Sequence, residues 1–111
     1  MQVRTSKLGV AHYLTPEGAL VQENLPALAA RIQELRAGGA SKLVVDLRHV
    51  PFFDSAGLEF LLDLASALRE ADGSLRLANP NPLCREVLTL TGLDASIPVH
   101  ENLASAGSSF L

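Results

Sequence analysis

The chain has 111 residues, 48% of them hydrophobic, which fits one folded globular domain. Nine basic and twelve acidic residues give a net charge of −3 without blocks of either sign, so the composition indicates no nucleic-acid binding. A single cysteine excludes a disulfide framework and a multi-cysteine zinc site, and charged residues interrupt the longest apolar stretch. We therefore expect one cytoplasmic domain over residues 1–111, with no signal peptide and no insertion into a membrane.

The first half of the chain predicts two strands separated by a helix. Residues 9–14 are a weak strand candidate. Residues 25–36 repeat apolar side chains every three or four positions, which predicts a helix with Pro26 in its first turn and Gly38 as its stop. Residues 43–47 are a short, valine-rich apolar run before Pro51, typical of a strand that helices cover on both faces.

The second half continues this alternation. Residues 55–71 predict a helix, residues 75–78 a weak strand after a turn pair, and a further helix opens at Pro82 and ends at Gly92. Residues 96–99 predict a short edge strand, because Pro98 has no backbone N–H to donate. Strands that alternate with helices indicate an α/β domain with a parallel or mixed sheet.

The helix predicted over residues 55–71 carries more apolar surface than one contact with a sheet requires. The side chains predicted to face the sheet are Leu58, Leu61, Leu62, Ala65 and Leu68. Phe60, Leu64 and Ala67 widen the apolar sector to roughly 220°, whereas a stripe a little over about 100° wide is enough for packing. Either a second helix covers Phe60 and Leu64, or this flank is exposed and docks a partner.

Residues 50–58 join the buried strand to this helix. Asp54 or Ser55 is predicted to cap the helix, and the small residues Ala56 and Gly57 would let its first turn lie close to whatever approaches. From spacing alone, a purely structural role of Ser55 as a cap is the simplest interpretation.

Several segments together resemble the STAS domain family, which contains bacterial anti-sigma-factor antagonists and the cytoplasmic domains of sulfate transporters. The hydrophobic strand that ends in Val44-Val45-Asp46-Leu47 is followed by Phe53-Asp54-Ser55-Ala56-Gly57-Leu58, which looks like the family signature. Gly18-Ala19-Leu20 stands where the family has a Gly-x-Leu-Asp turn, and residues 88–93 and 99–106 resemble its later motifs. The resemblance covers about residues 8–106 and implies a mixed four- to five-stranded sheet packed against helices.

In antagonists of this family, the serine that matches Ser55 is phosphorylated by a partner that is both an anti-sigma factor and a serine kinase of the histidine-kinase-like ATPase type. The resemblance implies that the free chain binds this partner and that the phosphorylated chain does not. Asp54 would shape the loop and help to position the metal–nucleotide end of the kinase. The docking edge would consist of Asp54, Ala56, Gly57, Leu58, Glu59 and Phe60, with Asp63 one turn further along.

The residue types suit such a switch. A phosphate adds about −1.5 to −2 charge, and a helix N-terminus favours an anion by about 0.3–1 kcal/mol. In a docked interface the same charge is desolvated beside Asp54, where like charges cost several kcal/mol. We therefore expect phosphorylation of Ser55 to abolish binding and to leave the domain folded. No cofactor is implied, and a weak homodimer is left open.

The sequence departs from the family pattern next to this site. Val21 stands after Gly18 where the family turn usually ends in Asp, and either Glu17 or Glu23 would have to supply a carboxylate instead. Glu59 stands where glycine is frequent, and its charge would shift the choice of partner. The alternative function is a STAS subunit that is not phosphorylated, in a lipid-transport complex or a signalling scaffold.

An enzyme is not expected. Asp46, His49 and Ser55 are the residue types of a hydrolase triad, but Phe53 occupies the position where the nucleophile elbow requires glycine. The histidines, including His49, lack metal-ligand spacing. The remaining singled-out residues are given structural roles: Cys84 in the core, and Arg69, Arg76 and Arg85 on solvated faces.

Overall fold

The computed structural model describes all 111 residues, which form five strands and five helices. In chain order the elements are β1 (Gln2–Leu8), β2 (Ala11–Glu17), α1 (Leu25–Ala37), β3 (Lys42–Asp46), α2 (Ser55–Glu70), β4 (Ser74–Ala78), α3 (Pro82–Leu90), α4 (Leu93–Ser96), β5 (Val99–His100) and α5 (Leu103–Ser108). The predicted helices and strands are present, and their bounds differ from the predictions by a few residues. No helix is both long enough and apolar enough to cross a membrane.

The five strands form one sheet in the order β1-β2-β3-β4-β5. β1 and β2 are antiparallel, with Gln2 opposite Glu17 and Leu8 opposite Ala11, and every other neighbouring pair is parallel. The expected mixed sheet is therefore confirmed. Because β2, β3 and β4 run parallel, the loops that follow them lie at the same edge of the sheet.

The first strand was not predicted from the sequence. In β1 only Val3 is buried, so the strand has neither an apolar run nor a clear alternation of apolar and polar side chains. β1 forms because its whole length pairs with β2 as an edge hairpin. The domain thus opens with a β-hairpin, and the strand–helix alternation begins only after β2.

The sheet has an apolar core on each face, and β3 contributes to both. Leu43 and Val45 belong to the larger core, which also contains side chains of α1, α2, α3 and α4. Val44 belongs to a smaller core with Ala106 of α5 on the opposite face. The expectation that helices cover this strand on both faces is confirmed.

The buried face of α2 is rotated relative to the predicted one. Leu61, Ala65 and Leu68 are buried as expected, but Leu64 is buried as well, whereas Leu62 is 40% exposed. The prediction for Leu62 was therefore wrong, because the helix turns Leu64, which lies about 200° away around its axis, toward the core. Phe60 and Leu64 line a shallow cleft between α1 and α2, so the first helix covers this flank in part.

Arg76 is less exposed than the prediction of a solvated face implies, because it is half-buried. Arg76 lies on the face of β4 that α5 covers, 4.6 Å from the centre of the Phe110 ring, and burial lowers the pKa of its guanidinium. Alternate residues of a strand point to opposite faces, and Arg76 lies on the face where the residues after α5 pack, with its Nε donating to the Ser109 hydroxyl at 2.9 Å. The expected core position of Cys84 is confirmed, and burial raises the pKa of its thiol.

Candidate functional site

The first turn of α2 is capped by Asp54. The Asp54 backbone is extended, and its Oδ1 accepts a hydrogen bond from the backbone N–H of Gly57 at 2.8 Å. This is the geometry of a helix N-cap, in which a side-chain oxygen satisfies an N–H that has no partner inside the helix. Of the two residues that the sequence offered as caps, Asp54 has this role, and Ser55 is the first residue of the helix.

The Ser55 side chain has no hydrogen-bond partner within the chain. It is exposed, and its hydroxyl makes no hydrogen bond within the chain. Because Asp54 satisfies the helix amide, the purely structural interpretation of Ser55 as a cap does not hold. The structure therefore places a free hydroxyl at the N-terminus of α2, where the helix dipole favours negative charge.

The loop between β2 and α1 lies along the loop that precedes Ser55. The Leu20 N–H donates to the Phe52 carbonyl at 3.1 Å, and the Asp54 N–H donates to the Leu20 carbonyl at 3.2 Å. Nearer to the ends of β2 and β3, the Gly18 N–H donates to the His49 carbonyl at 3.1 Å. This backbone pairing extends the sheet contact between β2 and β3 into the two loops.

Asp54 also joins these two loops through its side chain. Its Oδ2 accepts a hydrogen bond from the Gln22 N–H at 3.0 Å, while Oδ1 caps α2. One carboxylate thus positions both segments around Ser55, and hydrogen bonds to a charged acceptor are among the stronger ones in proteins. Val21 directly precedes Gln22 in the loop that Asp54 binds, and its side chain is half-buried.

Gly57 is required by the close approach of the same loop. It is buried, and a Cβ at this position would overlap the Leu20 carbonyl oxygen and lie 3.0 Å from the carbonyl carbon. What approaches the first turn of α2 at Gly57 is therefore the chain's own loop. The outward surface of the turn consists of Ser55 and Glu59, which are exposed, and Ala56 and Leu58, which are half-buried.

The acidic residues near the site have different surroundings. Glu17 forms an ion pair with Arg4 at 2.6 Å, on the β1–β2 hairpin. Glu23 follows Gln22 directly in the loop and is exposed, as is Asp63 further along α2. Of the two carboxylates considered as substitutes for the family Asp, Glu23 is the one in the loop that Asp54 binds.

Asp46 is a buried carboxylate at the centre of a hydrogen-bond network that its sequence position did not predict. It accepts hydrogen bonds from the Thr15 hydroxyl at 3.3 Å, from the Asn79 amide at 3.0 Å, and from both the backbone and the guanidinium of Arg48. The signal in the sequence was a charged residue at the end of a fully buried strand. These bonds join the ends of β2, β3 and β4, and none of them comes from His49.

The hydrolase alternative therefore lacks its geometry. His49 is exposed and makes no side-chain hydrogen bond to Asp46 or Ser55. A serine nucleophile needs a base within hydrogen-bond reach and a third group that orients the base. No group of three His, Cys, Asp or Glu side chains is placed so that it could hold a metal ion.

Comparison with known proteins agrees with this architecture. The family model described as STAS domain matches residues 3–106. A Bordetella bronchiseptica protein, BtrV, whose name describes it as a candidate anti-sigma factor antagonist, is 30% identical over 94 residues, which are 85% of this chain and 81% of BtrV.

Solved structures share the fold at lower identity. The crystal structure of a candidate anti-sigma factor antagonist of Thermotoga maritima matches with a TM-score of 0.90 and 22% identity, over 96% of this chain and 92% of that one. The antagonist SpoIIAA of Bacillus matches in its unphosphorylated form with a TM-score of 0.80 and 20% identity, over 98% and 96% of the two chains. Its phosphorylated form matches with a TM-score of 0.73 and 20% identity, over 99% and 100%. With a matching family model over nearly its whole length, the chain belongs to the STAS domain family.

Proposed function

We propose that this chain is an anti-sigma factor antagonist, and that phosphorylation of Ser55 by its partner ends the binding. The partner is an anti-sigma factor with serine kinase activity of the histidine-kinase-like ATPase type, and the place of action is the cytoplasm. The observation that carries the proposal is the exposed Ser55 hydroxyl, which has no hydrogen bond within the chain and stands at the start of α2.

The transfer needs little from this chain beyond the hydroxyl. The Ser55 Oγ attacks the γ-phosphorus of ATP, the bond from that phosphorus to the bridging oxygen breaks, and ADP leaves with the electron pair. The hydroxyl proton passes to a base of the kinase. Both Asp54 oxygens accept backbone hydrogen bonds, so the role that we assign to Asp54 is to hold the loop that carries Ser55 in place.

The effect of the phosphate follows from where the hydroxyl lies. In the free domain the phosphate is solvated at the positive end of α2, and this location favours it by about 0.3–1 kcal/mol. In a docked complex it is desolvated beside Asp54, and like charges brought together in an interface cost several kcal/mol. Because the second effect is larger, the phosphorylated chain stays folded and loses its partner.

The relatives support this function. BtrV and SpoIIAA carry the name of antagonists, and SpoIIAA has been solved with and without phosphate. Val21 replaces the acid that the family places in the neighbouring loop. The carboxylate that this loop offers to the kinase is instead the exposed Glu23.

The test is phosphorylation of the purified chain by each anti-sigma factor kinase of its own organism, with ATP, followed by intact mass. We expect the mass of one phosphoryl group on wild type and none on Ser55→Ala. Ser66→Ala is the matched control, because Ser66 is an exposed serine of the same helix, and it should take up phosphate like wild type. Phosphate on Ser55→Ala would contradict the site. No phosphate, together with capture of membrane-transport components only, would favour the STAS-subunit alternative.

A further inference from the structure

Three segments at one edge of the sheet are bonded into a single surface. Besides the two loops that meet at Asp54, the start of α3 joins them through Asn81, whose side-chain amide donates to the Val50 and Pro51 carbonyls at 3.4 and 3.1 Å. The Cys84 thiol donates to the same Val50 carbonyl at 3.4 Å. The start of α3 is thus held beside the loop that carries Ser55.

Each of these three segments includes a large apolar side chain that is not fully buried in the core. In the β3–α2 loop Phe52 is 48% exposed, and at the start of α3 Leu83 is 54% exposed. Val21 is half-buried in the β2–α1 loop. Leu20, which precedes Val21, and Cys84, which follows Leu83, are fully buried. In both segments the core residue is therefore adjacent to the residue at the surface. The segments that carry these side chains are hydrogen-bonded to one another, and exposed apolar residues that share a surface mark interaction sites.

The charges that remain free around this apolar area are acidic. Glu23, Glu59 and Glu86 are exposed and form no ion pair within the chain. The two basic residues in the same segments are already paired: Arg48 with Asp46 at 3.2 Å, and Arg85 with Glu101. A protein that covers this surface therefore meets an apolar centre inside an acidic edge.

We propose that Val21, Phe52 and Leu83 form a second contact area for the partner, and that the partner segment seated there is apolar at its centre and basic at its margin. This inference rests on the proposed function and extends the partner footprint from α2 to α3. An apolar centre with a charged rim is the usual anatomy of an interface. Opposite charge at the rim speeds encounter and fixes the register.

The binding experiment compares two exposed leucines. Leu83→Glu places a charge in the proposed contact area, and Leu8→Glu places the same charge at a leucine that is 74% exposed. Leu8 ends β1 at the turn into β2, which lies at the amino-terminal edge of the parallel strands, opposite to Ser55. Both residues are exposed, so both variants are expected to melt close to wild type.

Affinity for the purified anti-sigma factor kinase is measured by calorimetry. We expect Leu83→Glu and Phe52→Glu to weaken binding by about tenfold or more, the loss typical of an important interface residue. Leu8→Glu is expected to leave Kd within about twofold of wild type, a change typical of residues outside an interface. In a kinetic binding measurement, Glu86→Gln is expected to lower the association rate and the dependence of that rate on salt, because it removes one rim charge.

The outcomes separate the two proposals. If wild type binds and Leu83→Glu binds with the same Kd, this contact area is wrong while the antagonist function stands. If wild type binds none of these kinases, the antagonist function fails, and the partner assigned to this area fails with it. A wild-type dimer in solution that Leu83→Glu dissociates would show a second copy as the occupant and would also overturn the inference.

Discussion

Gly57→Ala tests the packing that places Ser55 at the surface. The added Cβ would overlap the Leu20 carbonyl oxygen and lie 3.1 Å from the Leu20 Cβ. Leu20 is fully buried, and its carbonyl accepts the hydrogen bond from the Asp54 N–H at 3.2 Å. The carbonyl therefore cannot turn away from the methyl group without breaking the bond that joins the two loops.

The expected loss of stability follows from these contacts. Overpacking a close-packed site costs about 1–3 kcal/mol, and a broken backbone hydrogen bond adds about 0.5–1.5 kcal/mol. Alanine in a helix recovers about 1 kcal/mol relative to glycine. The net destabilisation is about 2 kcal/mol, and for 111 residues this lowers Tm by about 9 °C.

The assay is thermal unfolding followed by circular dichroism, with Gly38→Ala as the matched control. Gly38 ends α1 with a negative φ of −83°, and a Cβ there meets nothing closer than 3.5 Å, so this variant should melt like wild type. A Gly57→Ala protein that unfolds within about 2 °C of wild type, well short of the shift expected from overpacking, would refute the close approach as the reason for glycine. Such a result would also mean that the Leu20 loop yields easily.

Ser55→Asp is expected to abolish partner binding without a large loss of Tm, whereas Ser55→Ala should bind constitutively; equal affinities in calorimetry would contradict the switch. Burial, with a smaller effect of the Arg76 guanidinium, lowers the pKa of His100 from its ordinary 6.5. As the pH falls below about 6.5, the unfolded chain therefore binds this proton before the folded chain does, and stability is lost down to the folded pKa. Thermal melts should show a smaller loss for His100→Gln than for wild type between neutral pH and about pH 5.5. Equal losses in wild type and His100→Gln would contradict this assignment.

The predictable part of the fold lay in elements whose own residues carry a strong pattern. The valine-rich run of β3, the long amphipathic α2 and the start of α3 after Asn81 were all identified, because burial on two faces, helical periodicity and an Asn-Pro start are local signals. β1 was missed because its stability comes from pairing with β2, and its residues alone show little pattern.

The site was predictable in its residues and not in its connections. The pattern of Asp, Ser, a small residue and Gly marked Asp54, Ser55 and Gly57. Asp54 accepts a hydrogen bond from the Gln22 N–H, and Gly57 lies against the Leu20 carbonyl. Both contacts come from a loop more than 30 residues earlier in the chain. Sequence spacing holds no information about which distant loop arrives at a helix terminus, because tertiary packing decides it.

The amino-acid order alone thus determined the α/β class, the family resemblance and the serine at the start of α2. Tertiary structure decided three further points: Asp54 is the cap, the Ser55 hydroxyl is free, and Arg76 packs against the Phe110 ring. The physical reason is that helical periodicity and capping preferences act between near neighbours. The burial of a side chain and its hydrogen-bond partners, in contrast, depend on which segments distant in sequence pack against each other.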